Sequence, residues 1–164
     1  MLFQATHKTP VGELFLVSNE HILLAAGFKN FKDLFSKIDS EDLKLEAKSV
    51  KSIPIISDLI KDYFDGDLSA LGGIKVRQPG AEFSQEVWKA MRKIPVGKTW
   101  SYSDLASRAG SPNAVRAVGT ACARNLIAPI VPCHRVIKTG GALGNYGYGL
   151  QIKDWLLRHE GALK

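Results

Sequence analysis

The hydrophobic pattern of this 164-residue chain changes period at one point, the Pro79-Gly80 pair that ends "GGIKVRQPG" (72–80). Before it, strand-length apolar segments are separated by turn residues: "LFQATHK" (2–8), "ELFLVS" (13–18) after "TPVG", and "HILLAAGF" (21–28) after "SNE". Such spacing predicts an antiparallel meander. "FKDLFSKI" (31–38) reads as a short helix. "IPIISDLIKDYFDGDL" (53–68) reads as a longer one, with Ile56, Leu59, Ile60, Tyr63 and Phe64 on one face. Beyond the pair, the apolar residues recur at helical spacing. The expected class is α+β: a small N-terminal antiparallel sheet domain with a helix over 1–78, and a mostly helical domain over 83–164.

Four helices are expected in the second domain. The first spans 84–94, with Ser84 as its N-cap and Pro95 and Gly97 as its stop. The second spans 101–110, where Ser101 and Asp104 have capping-box spacing and Gly110 ends the helix. The third spans 113–124. The last spans 151–161, with Ile152, Trp155 and Leu156 turned inward. The second and third are joined by a tight turn at Ser111-Pro112, the plan of a helix-turn-helix. Paired short helices are common as pure structure, so composition has to carry the functional reading. The third helix holds Ala114, Ala117, Gly119, Thr120, Ala121 and Ala123, which permit close approach to another surface. One long side chain, Arg116, stands among them. Arginine in that setting suits base reading or filling a gap in a base stack.

Charge follows the same division. Residues 1–78 hold 10 Lys and Arg against 11 Asp and Glu, whereas residues 79–164 hold 12 against 5. The entire net charge of +6 therefore comes from the second half. A polyanion-facing surface and a solvated basic face both fit that excess. No apolar run is long enough to span a membrane, and "MLFQATHKTPVG" lacks the order of a secretion signal, so an intracellular setting is expected.

Cys122 and Cys133 are the only cysteines and lack zinc-like spacing; with four scattered histidines, no metal is expected. Cys133 adjoins His134 in "PCHRVI" (132–137). A thiol becomes a strong nucleophile when a base takes its proton. Adjacency alone does not place the imidazole on the thiol, because neighbours in an extended segment face opposite ways. A third group must also hold the imidazole, and Glu160 on the last helix is a candidate. Two classes of function can be weighed on these residues alone: a helix-turn-helix protein that binds without chemistry, and a Cys-His hydrolase or thiol oxidoreductase. The oxidoreductase lacks CxxC, and nothing supplies the hydrolase's oxyanion hole. The binding protein leaves Cys133, His134 and Glu160 without a role.

Four stretches resemble, in order and spacing, the O6-alkylguanine-DNA alkyltransferases. They are "SYSDLASRAGSPNAVRAVGTACARN" (101–125), "PCHRVI" (132–137), "GNYGYGL" (144–150) and "WLLRHEG" (155–161). The first half resembles that family only generally. The resemblance implies a ribonuclease H-like first domain and a winged-helix-like second. It implies a monomer without cofactor that binds alkylated double-stranded DNA through the minor groove. In a prokaryote it would be cytoplasmic and nucleoid-associated; in a eukaryote, nuclear.

The resemblance also assigns roles. A flipped-out base would be attacked by the Cys133 thiolate in one irreversible SN2 transfer from O6-alkylguanine, with O4-alkylthymine as a further possible substrate. His134 would activate the thiol through a water, Glu160 would orient His134, and Asn125 would brace the turn. Tyr102 would donate a proton to the departing guanine. Tyr146 and the Gly147 N–H would bind O6, and carbonyls of Cys133 and Val136 would accept from the exocyclic amine. Arg116 would replace the extruded base. Asn113, Ala114, Ala117, Thr120, Arg124 and Arg135 would join it at the DNA. Two departures stand out. Leu126 follows Asn125 where relatives often have proline. Cys122 replaces a larger apolar residue at the pocket wall.

Overall fold

Strand β1 (Leu2–Thr9) reverses through a turn in which the Thr9 hydroxyl accepts from the Val11 N–H and donates to the Gly12 carbonyl. It pairs antiparallel with β2 (Gly12–Ser18), which pairs antiparallel with β3 (Leu23–Gly27). All five β3 residues are buried, which explains their unbroken apolar run. Helices α1 (Phe31–Phe35) and α2 (Ser40–Leu43) follow, capped by the Asn30 and Asp39 side chains. A fourth strand, β4 (Ala47–Ser49), then pairs parallel with β1, so the sheet is mixed rather than purely antiparallel. Every β4 residue is exposed and its segment is highly charged, so it carried no alternating pattern to read. Helix α3 (Ile56–Phe64) buries Ile56, Ile60 and Tyr63 on one stripe.

The computed structural model describes residues 1–164, which divide into two units. The first unit is Met1–Pro79 together with Leu126–Ile130, and the second is the remainder. The short return of the chain to the first unit had no signal at the 78–83 boundary. It is held by the Ala26 N–H on the Leu126 carbonyl, the Ala128 N–H on the Ala26 carbonyl, and the Leu126 N–H on the Gln78 side chain.

In the second unit α4 (Glu82–Met91) starts two residues before the expected Ser84, with Ala81 at the cap position and no side-chain cap. Val87, Trp88, Ala90 and Met91 form its buried face. A Cβ on Gly80 would stand 2.5 Å from the Trp88 ring, so the backbone there must be glycine for the indole to lie against it. The Trp88 indole N–H donates to the Ala121 carbonyl at 3.0 Å. Strand β5 (Trp100–Ser101) leads directly into α5 (Tyr102–Arg108), and Ser101 and Asp104 form the expected capping box. Helix α6 (Val115–Ala123) packs against α4 and α5 through buried Val118 and Ala121. Strand β6 (Val136–Ile137) pairs with β5. The last helix, α7 (Leu150–His159), buries Lys153, Leu156 and Leu157 rather than Ile152 and Trp155. No helix is long and apolar enough to cross a membrane.

Candidate active site

Cys133 opens a tight 3-10 turn (Cys133–Arg135) immediately before β6. Its N–H donates to the Val131 carbonyl at 2.9 Å. The Asn125 amide donates to the same carbonyl at 2.7 Å and also hydrogen-bonds the thiol. Asn125 thus ties the end of α6 to the turn that presents the sulfur.

A 3-10 turn sends successive side chains in different directions, and the two neighbours separate accordingly. Cys133 faces a cavity of about 790 Å³, while His134 is fully buried. His134 Nε2 lies 2.9 Å from Glu160 Oε2. Burial alone would raise the Glu160 carboxyl, but hydrogen bonds and charge from His134 and Arg135 outweigh it and hold the group well below its usual range. The carboxylate is therefore an acceptor only, so Nε2 carries the proton and donates. Nδ1 is then the basic nitrogen, buried and without a protein partner. Burial lowers the imidazole pKa despite the carboxylate, so the ring is neutral near pH 7.

Arg135 corrects an expectation. The sequence places it at the DNA, but it is 6% exposed. Its guanidinium grips both Glu160 oxygens, Nε at 2.7 Å and Nη2 at 3.0 Å, and Nη1 donates to the Ile94 carbonyl at 3.0 Å. It positions Glu160 and is almost wholly withdrawn from solvent.

The cavity wall includes Tyr102, Arg116, Cys122, Cys133, Tyr146 and Gly147. These six were named from separated stretches of sequence and meet in one place, with Thr120 beside them. Asn113, Ala114, Ala117 and Arg124 flank or lie on α6 outside the lining. Val136 is fully buried and not part of the wall, and its carbonyl already accepts from Lys153. Burial pushes the Cys133 thiol up, while Asn125 and the Lys153 charge oppose that rise. Cys122 is pushed up to about 12 by burial and by the neighbouring Cys133 charge. Burial, then the two cysteines, raise the Tyr102 phenol, which keeps it a proton donor.

Lys153 is the buried cation beside the site that sequence reasoning missed. It is 0% exposed, with Nζ donating to the carbonyls of Val136, Leu143 and Asn145. A signal existed. Positions 153, 156, 157 and 160 form one helical stripe on which a lysine and a glutamate accompany two leucines.

The model of the family described as 6-O-methylguanine DNA methyltransferase, DNA binding domain, matches residues 82–162. The methylated-DNA–protein-cysteine methyltransferase of Salmonella typhimurium is 39% identical, the match covering 99% of this chain and 97% of that one. The protein of the same name from Methanosarcina acetivorans is 37% identical over 98% of this chain and 99% of its own. The crystal structure of Mycobacterium tuberculosis OGT in complex with DNA superposes with a TM-score of 0.83 at 33% identity, covering 98% of this chain and 93% of that one.

Proposed function

Because this chain belongs to the methylated-DNA–protein-cysteine methyltransferase family, we propose that it repairs DNA by direct reversal, moving the alkyl group of O6-alkylguanine irreversibly onto Cys133. The observation that carries the reading is the single cavity in which Cys133, Tyr102, Arg116 and Tyr146 meet, with the next residue of the chain, His134, buried and hydrogen-bonded to Glu160.

A base must leave the stack to reach such a cavity. Arg116, exposed on α6, is the side chain that takes its place. The Cys133 thiol rests protonated, since burial raises its pKa, so attack requires a base at that moment. One water between Sγ and His134 Nδ1 relays the proton to the imidazole, and Glu160 holds the resulting imidazolium. The sulfur then attacks the alkyl carbon as the carbon–O6 bond breaks, and that electron pair leaves with the guanine. Proton donation from Tyr102 makes the leaving group a neutral guanine rather than its anion. Tyr146 and the Gly147 N–H hold O6 during departure. The thioether has no route back, so each chain acts once.

Residues 83–164 are on this reading the DNA-binding and alkyl-accepting domain, and residues 1–78 support it. The strand order β3-β2-β1-β4, with β4 parallel to β1, supports a ribonuclease H-like assignment for the first unit. The α5–α6 pair beside the short β5–β6 ladder supports a winged-helix-like assignment for the second. The small residues of α6 suit the minor groove of duplex DNA. On this reading the protein acts as a monomer, cytoplasmic and nucleoid-associated in a prokaryote and nuclear in a eukaryote.

The test is the intact mass after incubation with a duplex bearing O6-methylguanine. One adduct of about 14 Da on the Cys133 peptide is expected, a methyl replacing a proton. Binding without an adduct overturns the reading. Cys133→Ala should bind and not react, and Arg116→Ala should lose transfer more than it loses non-specific affinity.

A further inference from the structure

A second cavity of the second unit, about 590 Å³, is absorbed by none of this chemistry. Lys93, Lys98 and Arg108 stand around it, and Pro95 and Trp100 form its apolar floor. The wall contains no carboxylate, and none of the eight ion pairs of the structure uses any of these three cations. Asp104, the one acid on α5, is engaged by the Ser101 N–H. Three like charges thus surround one concavity without a counter-charge, an arrangement that costs free energy in the unbound protein.

Arg108 is also held in place. Its guanidinium carbon lies 4.4 Å from the centroid of the Trp100 ring. Stacking restrains an otherwise floppy side chain and leaves the edge of the guanidinium free to donate. A pre-oriented fork with two flanking ammonium groups matches the tetrahedral, doubly accepting oxygens of a phosphodiester. An isolated solvated cation has no need of an aromatic floor.

The groove lies near the reactive cavity. Tyr102, the first residue of α5, lines that cavity, and Arg108, the last, lines this groove. Seven helical residues span about 10 Å, or roughly three base steps of DNA. We infer that the Lys93–Lys98–Arg108 groove is a second phosphate site, which binds a DNA backbone phosphodiester away from the base held over Cys133. The inference rests on the DNA-repair reading for its choice of polyanion, since acidic protein segments carry related charge.

Anisotropy titrations of a labelled, undamaged duplex across about 50–200 mM KCl test it. Each phosphate contact removed should lower the slope of log K against log salt by about 0.9 and weaken binding roughly tenfold near 0.1 M salt. Lys93→Ala, Lys98→Ala and Arg108→Ala, singly and together, should show this. Lys32→Ala, an equal loss of charge on α1, should not. Arg108→Lys should keep the slope and lose affinity, because charge is retained and the stacked fork is not. At saturating O6-methylguanine duplex the triple variant should methylate Cys133 at the wild-type rate, which also shows that it folds. Sedimentation at excess DNA separates two sources of the phosphate: one duplex per protein if it belongs to the lesion-bearing duplex, two if it belongs to another. An unchanged salt slope in the triple variant overturns the proposal. If a polyglutamate peptide then binds wild type and not the triple variant, the groove belongs to an acidic protein partner. Failure of wild type to take up methyl would overturn the repair reading alone and leave the salt slopes interpretable.

Discussion

Lys153 Nζ lies 2.7 Å from the carbonyl oxygen of Val136, and the same ammonium reaches the carbonyls of Leu143 and Asn145. One buried cation therefore joins the strand after the nucleophile to the loop that carries Tyr146 and Gly147. Burial lowers its pKa, and the two cysteines oppose that shift, which places the charge within electrostatic range of Cys133. Lys153 both shapes the cavity and favours the thiolate.

Lys153→Met keeps the aliphatic stem and removes the donor. Each carbonyl left without a partner costs about 1–3 kcal/mol, offset in part by no longer burying an ammonium. Transfer at neutral pH should slow, and much of the loss should return at alkaline pH, where the thiolate forms without help. Single-turnover rates measured against pH check this. A uniform loss at every pH would reduce Lys153 to a structural tie.

Glu160→Gln tests the His134–Glu160 pair. Glu160 is ionised and accepts from two groups, the neutral His134 imidazole by one oxygen and the Arg135 guanidinium by both. Leaving Arg135 buried without its carboxylate should destabilise the fold by about 3–5 kcal/mol. The folded pKa of Glu160 is depressed below its ordinary 4.5, so its contribution is fully present above that pH and is lost as pH falls through the folded value. The stability gap between wild type and the variant, read from urea denaturation, should be constant near neutrality and shrink as pH drops below about 4.5. Because the His134 pKa is lowered, wild-type transfer should hold its rate to below pH 6.5 and decline only in more acid solution.

The legible parts of the chain were those where local chemistry dictates structure. The Ser101–Asp104 capping box is present as its spacing required, and the strands of β1 to β3 follow their apolar segments. Cys133, Tyr102, Arg116 and Tyr146 were legible through motif resemblance, and their meeting in one cavity is a tertiary result. What escaped was burial of charge. Arg135 and Lys153 look like surface cations in sequence, because only the fold supplies the Glu160 carboxylate and the three carbonyls that make their burial tolerable. Strand β4 escaped because it is exposed throughout and so lacks an apolar face.

Gly144→Ala tests how closely the glycine-rich loop must approach Tyr102. Gly144 has φ +77°, and a Cβ there would stand 3.1 Å from the Tyr102 hydroxyl oxygen. The substitution combines left-handed backbone strain with crowding of the proton donor, about 1–3 kcal/mol in all. Transfer should fall more steeply than DNA affinity, because Tyr102 is displaced while α6 is not. Equal losses in both, from stopped-flow transfer and anisotropy, would show that the loop has collapsed as a whole.

Cys122→Met tests the width of the cavity. Cys122 lies on the wall with Cys133, and its thiol, pushed up to about 12, stays protonated and takes no part in transfer. Its contribution is therefore volume. Methionine adds bulk where the departing alkyl group must pass, while its flexible thioether adapts to the space that remains. Methyl transfer should be nearly unaffected. Transfer from a benzyl-guanine should slow by about 10- to 200-fold, the range associated with one methylene group too many in an apolar pocket. Competition between the two substrates for one batch of protein, read as the ratio of methyl to benzyl adducts on Cys133, gives the change directly. A ratio unchanged from wild type would mean that the wall at α6 yields, and that the loop carrying Tyr146 and Gly147 sets the limit instead.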